Sequence, residues 1–167
     1  MNNLNHQKGA GMMEVLISML VLAIGVFGFV ALQARATGAT TEALKRSDAI
    51  LILQGMTERI RLNPTGNYKA TIVAKDCNTA PCSANDQALS DLDFFSKQAA
   101  KKNMTINVID CPKTSTAQKR LCLLAAWDKT TATIGDKPTD GSQSTACLIK
   151  DSSLYQDAAT CLLMETY

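Results

Sequence analysis

The chain has 167 residues, about the size of one domain. Lys and Arg total 17 against 15 Asp and Glu, and the formal net charge of +2 excludes an acidic tail protein and a strongly basic nucleic-acid coat. Because 46% of the residues are hydrophobic, disorder throughout the chain is excluded as well.

The N-terminal region contains a long apolar run. Residues 15–32 read VLISMLVLAIGVFGFVAL, which is 18 positions without a charged side chain. As a helix this run is about 27 Å long, close to the hydrocarbon thickness of a membrane. A secretory signal peptide is the alternative, since Lys8 lies in a polar lead. That alternative is disfavoured because the run exceeds a signal-peptide core of about 7–15 residues and no small-x-small site ends it.

Glu14 lies directly before the apolar run, between Met13 and Val15. A carboxylate at a membrane is expensive and by default indicates a function. The segment KGAGMMEVLISMLVLAIGVFGFVALQ resembles the N-terminus of type IV prepilins, which have a short polar leader, a glycine, and a helix with Glu as its fifth residue.

The resemblance implies cleavage between Gly9 and Ala10 by the prepilin peptidase, followed by N-methylation of Ala10. Glu14 is then the fifth residue of the mature chain, whereas cleavage after Gly11 would leave it third, so that cut is rejected. The chain departs from the family in having Ala10 where Phe is most common. The resemblance also implies a role in subunit assembly for Glu14, whose carboxylate would meet the N-terminal amine of a neighbouring subunit. That attraction is large in a low-dielectric setting.

The chain is predicted to have three parts: a cleaved leader over 1–9, a long helix over 10–62, and a periplasmic globular head over 63–167. Within the helix, 15–32 forms the transmembrane or filament-core part. The second half is amphipathic, with apolar residues at helical spacing: Ala49, Ile52, Leu53, Met56 and Ile60. Asn63-Pro64 and Gly66 are expected to end the helix. Three glycines lower its propensity, which leaves open either local melting or close helix packing: Gly25, Gly28 and Gly38.

All six cysteines lie in the head, which favours disulfides formed in an oxidising compartment. Six cysteines allow 15 connectivities, and sequence alone cannot choose among them. The predicted strands favour neighbouring pairs, namely Cys77–Cys82, Cys111–Cys122 and Cys147–Cys161.

The rest of the head is predicted to hold one short helix after CNTAPCSAND and then strands. These strands, read as a four-stranded antiparallel meander, cover 104–111, 120–127, 145–150 and 160–167. The segment TTATIGDKPTDGSQS is predicted to be a loop. Pairing Cys111 opposite Cys122 would set Val108 opposite Ala125. Pattern and resemblance together indicate an α+β, type IV pilin-like fold, with a long N-terminal helix packed on a small antiparallel sheet.

Signatures of enzymes are nearly absent, and no catalytic residue, metal site or cofactor is predicted. The single histidine, His6, falls in the predicted leader, which removes His-based triads and most zinc sites from the mature protein. Cys77-x4-Cys82 favours a disulfide over metal or redox chemistry. Asp136 and Asp140 share a loop that could offer oxygens to calcium, but their spacing fits no EF-hand.

Two further features of the sequence could belong to an exposed binding surface. Trp127 is interpreted as a sheet residue, with an exposed adhesive aromatic at a filament tip as the alternative. Two basic pairs could contact DNA phosphates, although on a nearly neutral chain they are more typical of a solvated surface: Lys101 with Lys102, and Lys119 with Arg120.

Among type IV pilins, the chain resembles PilV-type minor pilins (type IV pilus modification proteins). The residues involved are those at the N-terminus, the Cys77–Cys82 pair before a short helix, and the C-terminal cysteine hairpin. The resemblance implies that the protein is held in the inner membrane before assembly. It would then join other minor pilins and the major pilin in a complex that primes assembly and remains at the pilus tip. There the protein would support twitching motility, adhesion or DNA uptake, with DNA or a host surface as a weakly supported partner.

Two alternatives stay open. One is a minor pseudopilin of a type II secretion system, which shares the leader, the glutamate and the long helix. The other is a membrane-anchored periplasmic binding module that never polymerises and would retain residues 1–9.

Overall fold

The computed structural model describes residues 11–77, 79, 81–114, 120–140 and 142–166. Two helices and five strands lie within these ranges, in the order α1 Met12–Leu62, α2 Ala84–Lys101, β1 Met104–Asp110, β2 Leu121–Trp127, β3 Thr131–Gly135, β4 Ala146–Ile149 and β5 Cys161–Thr166. The long N-terminal helix, the small antiparallel sheet and the disulfides confirm the predicted α+β, pilin-like fold class.

Helix α1 runs from Met12 to Leu62 and ends directly before Asn63-Pro64, where the sequence is expected to end it. Residues 12–62 contain no proline, and the helix ends where Asn63 donates its backbone N–H to the carbonyl oxygen of Arg59 at 3.1 Å. Arg59 and Arg61 lie in the last turn, where cations are favoured by the helix dipole. The chain divides into two compact units, Met1–Glu42 and Ala43–Tyr167.

In the first unit, the described residues are almost entirely helical, and none of the helical positions up to Leu32 is buried. Hydroxyl groups near its end bond back to the helix instead of to a neighbour. Thr37 donates to the carbonyl oxygen of Ala34 at 2.9 Å, and Thr41 donates to that of Gly38 at 2.8 Å. The described part of this unit is therefore stabilised by its own helical hydrogen bonds and contributes no residue to a hydrophobic core.

The second unit is built around a hydrophobic core. Its largest cluster combines residues of α1, α2, β1 and β2, including Leu53, Met56, Leu92, Leu123 and Trp127, each no more than 3% exposed. Their burial follows from periodicity: Ala49, Leu53, Met56 and Ile60 recur every three or four residues and so share one face of α1. The amphipathic half of α1 is thus one wall of the head's core.

Helix α2 begins earlier than expected. Its N-cap is Ser83, whose side chain accepts a hydrogen bond from the backbone N–H of Asp86 at 3.2 Å. The prediction placed the whole of CNTAPCSAND before the helix, whereas the cap lets the first turn start at Ala84. Its buried face includes Leu92, Phe95 and Ala99, while Phe94 is 53% exposed.

The predicted four-stranded meander is wrong in its topology. Strands β1, β2 and β5 form a three-stranded antiparallel sheet in that order, and β4 pairs in parallel with β3 as a separate two-stranded sheet. Strand β3 lies in the segment that was expected to be a loop. Its short Thr-rich and Gly-rich sequence is typical of loops, but Thr131 donates its backbone N–H to the carbonyl oxygen of Thr145 and aligns with Ala146.

The predicted register between β1 and β2 is also wrong, by two residues. Val108 lies opposite Leu123 instead of Ala125, and Ile109 lies opposite Cys122. Because side chains alternate with a period of two, this even shift leaves every side chain on its expected face. The Cys111–Cys122 disulfide therefore joins diagonal positions and not directly opposed ones.

Three disulfides join Cys77–Cys82, Cys111–Cys122 and Cys147–Cys161, the same neighbouring pairs that the predicted strands favour. All six cysteines lie among the described residues, and none is free. Two of the bonds tie the sheets: one lies beside the β1–β2 ladder, and the other joins β4 to β5. The Cys147–Cys161 bond therefore links the antiparallel three-stranded sheet to the parallel two-stranded sheet.

Candidate functional site

Glu14 lies in the first turn of α1, with an exposed side chain. Its backbone N–H donates to the carbonyl oxygen of Gly11 at 2.8 Å, so the helix has already begun at this position. A carboxylate in the first turn is favoured by the positive end of the helix dipole. The helix thus holds this charge at its end, next to an apolar surface.

The described residues leave the apolar surface beyond Glu14 uncovered. Exposed fractions of the large side chains between Met12 and Leu32 run from 44% to 87%. The most apolar window of α1 has a mean hydropathy of 2.8 and is not buried at all. By length and composition, this helix is able to cross a membrane. An apolar helix that packs against nothing in its own fold can lie in lipid or against other apolar helices.

Glu14 and the next charged residue along α1 lie far apart. Residues 15–34 contain no ionisable side chain, and the next charge along the helix is that of Arg35. None of the ion pairs formed among the described residues includes Glu14 or Arg35. The site predicted around Glu14 is therefore a single acid at the end of an exposed apolar helix.

The other predicted N-terminal residues lie outside the described part of the chain. These are Gly9 and Ala10, which flank the expected cleavage site, and His6 in the expected leader. Cleavage, methylation and the role of Glu14 in assembly remain predictions.

The cysteines offer no thiolate chemistry. Cys77 and Cys82 are bonded to each other, which agrees with the structural interpretation of their spacing. Cys111, Cys122 and Glu165 bring potential metal ligands within 4.8 Å of one another. Both sulfurs of that group are joined in a disulfide, so they lack the thiolates that bind metals.

The loop that holds Asp136 and Asp140 has its carboxylates engaged by protein groups. Asp140 accepts hydrogen bonds from the backbone N–H and the hydroxyl of Ser142, at 3.0 and 2.7 Å. These bonds lower the pKa of the Asp140 carboxyl. Asp136 lies 4.0 Å from the ammonium group of Lys150. This arrangement is that of a stabilised turn, in which the carboxylates already have donors.

Trp127 and the basic pairs belong to the structure of the head. Trp127 is 1% exposed and ends β2, as the sheet interpretation expects, so it presents no aromatic surface. Lys102 pairs with Asp48 at 3.1 Å, and Arg120 pairs with Glu165 at 2.8 Å; Lys119 lies outside the described residues. Two members of the predicted basic pairs thus have acidic partners.

A buried polar network that the sequence did not indicate connects α1 to α2. Tyr68 is 2% exposed, and its hydroxyl is 2.9 Å from Oδ2 of Asp91 and 3.1 Å from the carbonyl oxygen of Arg59. Gln87 donates to Oδ1 of Asp91 at 3.1 Å, and Nδ2 of Asn63 is 3.4 Å from the tyrosine hydroxyl. Burial of the phenol raises the pKa of Tyr68 to about 12.

This Tyr68 network secures the chain just after α1 ends. Tyr68 follows the polar residues Asn63-Pro64-Thr-Gly-Asn, which carry no periodic signal of burial. Its partners are up to 23 residues away in the sequence, so no local pattern indicates them. The network joins the two helices through Tyr68 and Asp91, which are both buried and hydrogen-bonded to each other.

Comparison with known families gives a match to part of the chain. The model of the Tt1218-like family, described as type IV pilin Tt1218, matches residues 31–95. The matched segment runs from the end of the apolar helix through most of α2, well under half of the chain, and supports a type IV pilin family. No curated protein and no solved structure matches the chain significantly.

Proposed function

Starting from this support for the type IV pilin family, we propose that the chain is a minor pilin of the PilV type. It helps to prime pilus assembly and sits at the pilus tip, where it supports twitching motility, adhesion or DNA uptake. The observation that carries the proposal is Glu14, an exposed acid at the start of an apolar helix that nothing in the described chain covers. In this proposal the role of the protein is structural and not enzymatic.

The physics of this acid favours assembly over simple anchoring. A membrane anchor gains nothing from a charge at its end, because placing a carboxylate next to lipid costs free energy. In a stack of parallel helices, the same carboxylate accepts hydrogen bonds from the charged amine at a neighbour's N-terminus. Pairing removes the penalty of an isolated charge and thereby favours the filament over the bilayer.

The processing step supplies that amine. In the proposed route, the prepilin peptidase cuts between Gly9 and Ala10, and the new N-terminus at Ala10 is methylated. The mature protein is then held in the inner membrane by α1, with its head in the periplasm. The head's three disulfides fit that compartment, because disulfides persist where the environment is oxidising.

Replacing Glu14 tests the proposal directly. Glu14→Gln removes the charge and keeps the shape, and Glu14→Asp keeps the charge as a matched control. We expect Glu14→Gln to abolish incorporation into sheared pili while the precursor is still processed and inserted, and Glu14→Asp to retain most of it. Normal incorporation of Glu14→Gln would contradict the assembly role.

The same strains separate the alternatives. Unchanged surface pili with lost protein secretion would support a minor pseudopilin of type II secretion.

N-terminal mass spectrometry of the wild-type protein tests the binding-module alternative. That alternative predicts retention of residues 1–9, whereas the pilin proposal predicts an N-methylated Ala10. A bulky residue in place of Gly9 is expected to leave unprocessed precursor in the inner membrane.

A further inference from the structure

Within the described residues, strand β1 has one edge that no other strand covers. The three-stranded sheet has the order β1-β2-β5, so β1 lies at its margin. Directly after β1, Cys111 donates its backbone N–H to the carbonyl oxygen of Arg120, which precedes β2. Since backbone groups alternate in direction along a strand, the odd-numbered residues of β1 face β2 and the even-numbered residues face outward. The outward residues include Met104, Ile106 and Val108.

Part of this outer edge has unpaired backbone groups. The N–H of Val108 donates to Oδ1 of the Asn107 side chain at 2.9 Å. The N–H and carbonyl groups of Ile106 form no hydrogen bond with any residue that the structure describes. A strand edge with unpaired donors and acceptors is a template on which another extended chain can pair.

The open part of the edge borders an apolar pocket of about 350 Å³. The pocket lies between β1 and the last turns of α2, and its lining includes Ala100, Met104 and Ile106. Ile72, which is 41% exposed, lines it from the segment before α2. Ligand pockets begin at roughly 300 Å³, so this one fits a single large side chain better than a whole small molecule.

Two lysines lie beside the pocket. Lys97 lines it, and Lys101 follows four residues later on the same face of α2. Lys97 pairs with Asp93 at 2.6 Å. Lys101 is exposed, and none of the ion pairs within the described ranges includes it. The border of the pocket is therefore complementary to a negative charge.

We propose that an extended segment of a partner protein pairs with the outer edge of β1, places one large apolar side chain in the pocket and presents a carboxylate side chain to Lys101. The main-chain groups supply affinity, whereas the pocket and the lysine select the sequence. The carboxylate is that of a side chain because capture of a chain end uses successive backbone N–H groups, and those of the β1 edge recur only at every second residue. The interface lies wholly in the second unit and does not depend on the role of Glu14.

Hydrogen exchange on the full-length protein in detergent tests the pairing. The probe is the peptide TETFTET, blocked at both ends, in which the apolar side chain and both carboxylates share one face of an extended strand. At saturation we expect it to slow exchange of the Ile106 N–H at least tenfold. Exchange of the Glu165 N–H, on the outer edge of β5, is expected to stay unchanged.

Two results of this experiment would overturn strand pairing. The same peptide methylated at every backbone nitrogen cannot donate to the edge, and equal slowing by both peptides would exclude main-chain pairing. Protection of the Ile106 N–H in the free protein, as strong as that of the Ile109 N–H in the ladder to β2, would mean that the protein's own residues already cover the edge.

Matched variants test the pocket. Ala100 is exposed and lines the pocket, so Ala100→Leu fills it, whereas Ala84→Leu makes the same change at an exposed position of α2 outside it. We expect Ala100→Leu to raise the Kd of the peptide at least tenfold and Ala84→Leu to leave it unchanged. The peptide TETATET, which lacks the large side chain, should bind the wild type at least tenfold more weakly. Equal affinity of the two peptides for the wild type would overturn the pocket as the apolar site.

A charge reversal tests the selection of a carboxylate. Lys101→Glu is expected to raise the Kd of TETFTET at least tenfold, because it places a like charge beside the peptide's acids. The control Lys150→Glu reverses an exposed charge in a different part of the head and is expected to leave the Kd unchanged. An unchanged Kd in Lys101→Glu, or an equal rise in both variants, would overturn the carboxylate as the recognised group.

Discussion

Helix α1 is exposed in the first unit of this protein and partly buried in the second. From Met12 to Leu32, α1 leaves every large apolar side chain exposed, whereas from Ala49 to Ile60 it buries one face completely in the head's core. The first part is stable only in lipid or among other helices, since exposed apolar surface of this extent is unfavourable in water. The second part is stabilised by its own fold. The difference indicates that the described part of the first unit needs a covering from outside the chain, whereas the second unit carries the packing that stabilises the head.

The sharpest test of this division is a pair of identical substitutions on one helix. Leu53 is fully buried and Leu51 is 64% exposed. Leu53→Ala is expected to lower the free energy of unfolding of the head by about 2–5 kcal/mol, because it deletes packed methyl groups and leaves a cavity. Leu51→Ala is expected to change it by no more than about 0.5 kcal/mol. Denaturation in detergent, followed by the fluorescence of Trp127, measures both.

A third variant extends the comparison to the first unit. Leu22 is 68% exposed. Leu22→Ala should leave the midpoint of unfolding, followed by the fluorescence of Trp127, at the denaturant concentration of the wild type. A shift as large as that of Leu53→Ala would mean that the apolar helix supports the folding of the head, and the division would fail.

Removing the Cys147–Cys161 disulfide is expected to have the next largest effect. The bond closes a loop with a sequence separation of 14, for which the loss is about 3 kcal/mol by the chain-entropy account. The double variant Cys147→Ala/Cys161→Ala should therefore unfold at lower denaturant concentration. Cys77→Ala/Cys82→Ala, across a separation of 5, is expected to lose less, about 2 kcal/mol. The reverse order would show that the length of the closed loop does not determine which bond contributes more.

The sequence predicts the helices well because their signals are local. Asn63-Pro64 marks the end of α1, and the spacing of Leu53 and Met56 marks its buried face. Glu14 is conspicuous because it is a charge next to an apolar run. These features depend on residues within a few turns of one another.

The features that the sequence did not indicate depend on distant residues. Strand β3 becomes a strand only because β4 aligns with it in parallel, and its sequence TATIG carries no alternation strong enough to separate it from a loop. The register of β1 is set by the whole ladder to β2 and not by the Cys111–Cys122 bond, which tolerates a diagonal position. The partners that we propose for Glu14 belong to other molecules, and one chain cannot test that proposal.

The Tyr68 network provides a smaller and pH-dependent effect in the head. Tyr68→Phe removes the donor to buried Asp91 and should cost about 1–3 kcal/mol in the free energy of unfolding. The surface control is Tyr155→Phe, since Tyr155 is 44% exposed and its hydroxyl accepts from the backbone N–H of Leu163 at 3.1 Å. A loss no larger than that of the control would show that the network adds nothing beyond the packing of the ring.

The pH dependence has a definite sign. Burial raises the pKa of Tyr68 to about 12 in the folded state, whereas an unfolded tyrosine titrates near pH 10. Between those values the unfolded state binds fewer protons, so stability falls as the pH rises. We expect the unfolding midpoint of the wild type to decline more steeply than that of Tyr68→Phe between about pH 10 and 12. Parallel curves would mean that Tyr68 ionises in the folded protein as it does in the unfolded one.

The smallest expected effect is at the start of α2. Ser83 caps this helix through the backbone N–H of Asp86, and its hydroxyl also donates to Oδ2 of Asp86 at 2.9 Å. Ser83→Ala should therefore cost about 1 kcal/mol. The control Ser90→Ala, in the helix interior, is expected to be neutral or slightly stabilising, because alanine is the better helix former.

The carboxyl of Asp86 reports the same cap independently. Its pKa is lowered first by the hydrogen bond with Lys75 and then by that with Ser83. In Ser83→Ala the pKa measured by NMR should rise but stay below the ordinary value, since the ammonium group of Lys75 remains 3.1 Å away. A carboxyl whose pKa is lower in the folded state stabilises the fold when the pH is above the pKa of the unfolded state. This contribution is lost as the pH falls through the pKa of the folded state. The variant should thus lose less stability on acidification than the wild type, and an equal loss would assign the effect to Lys75 alone.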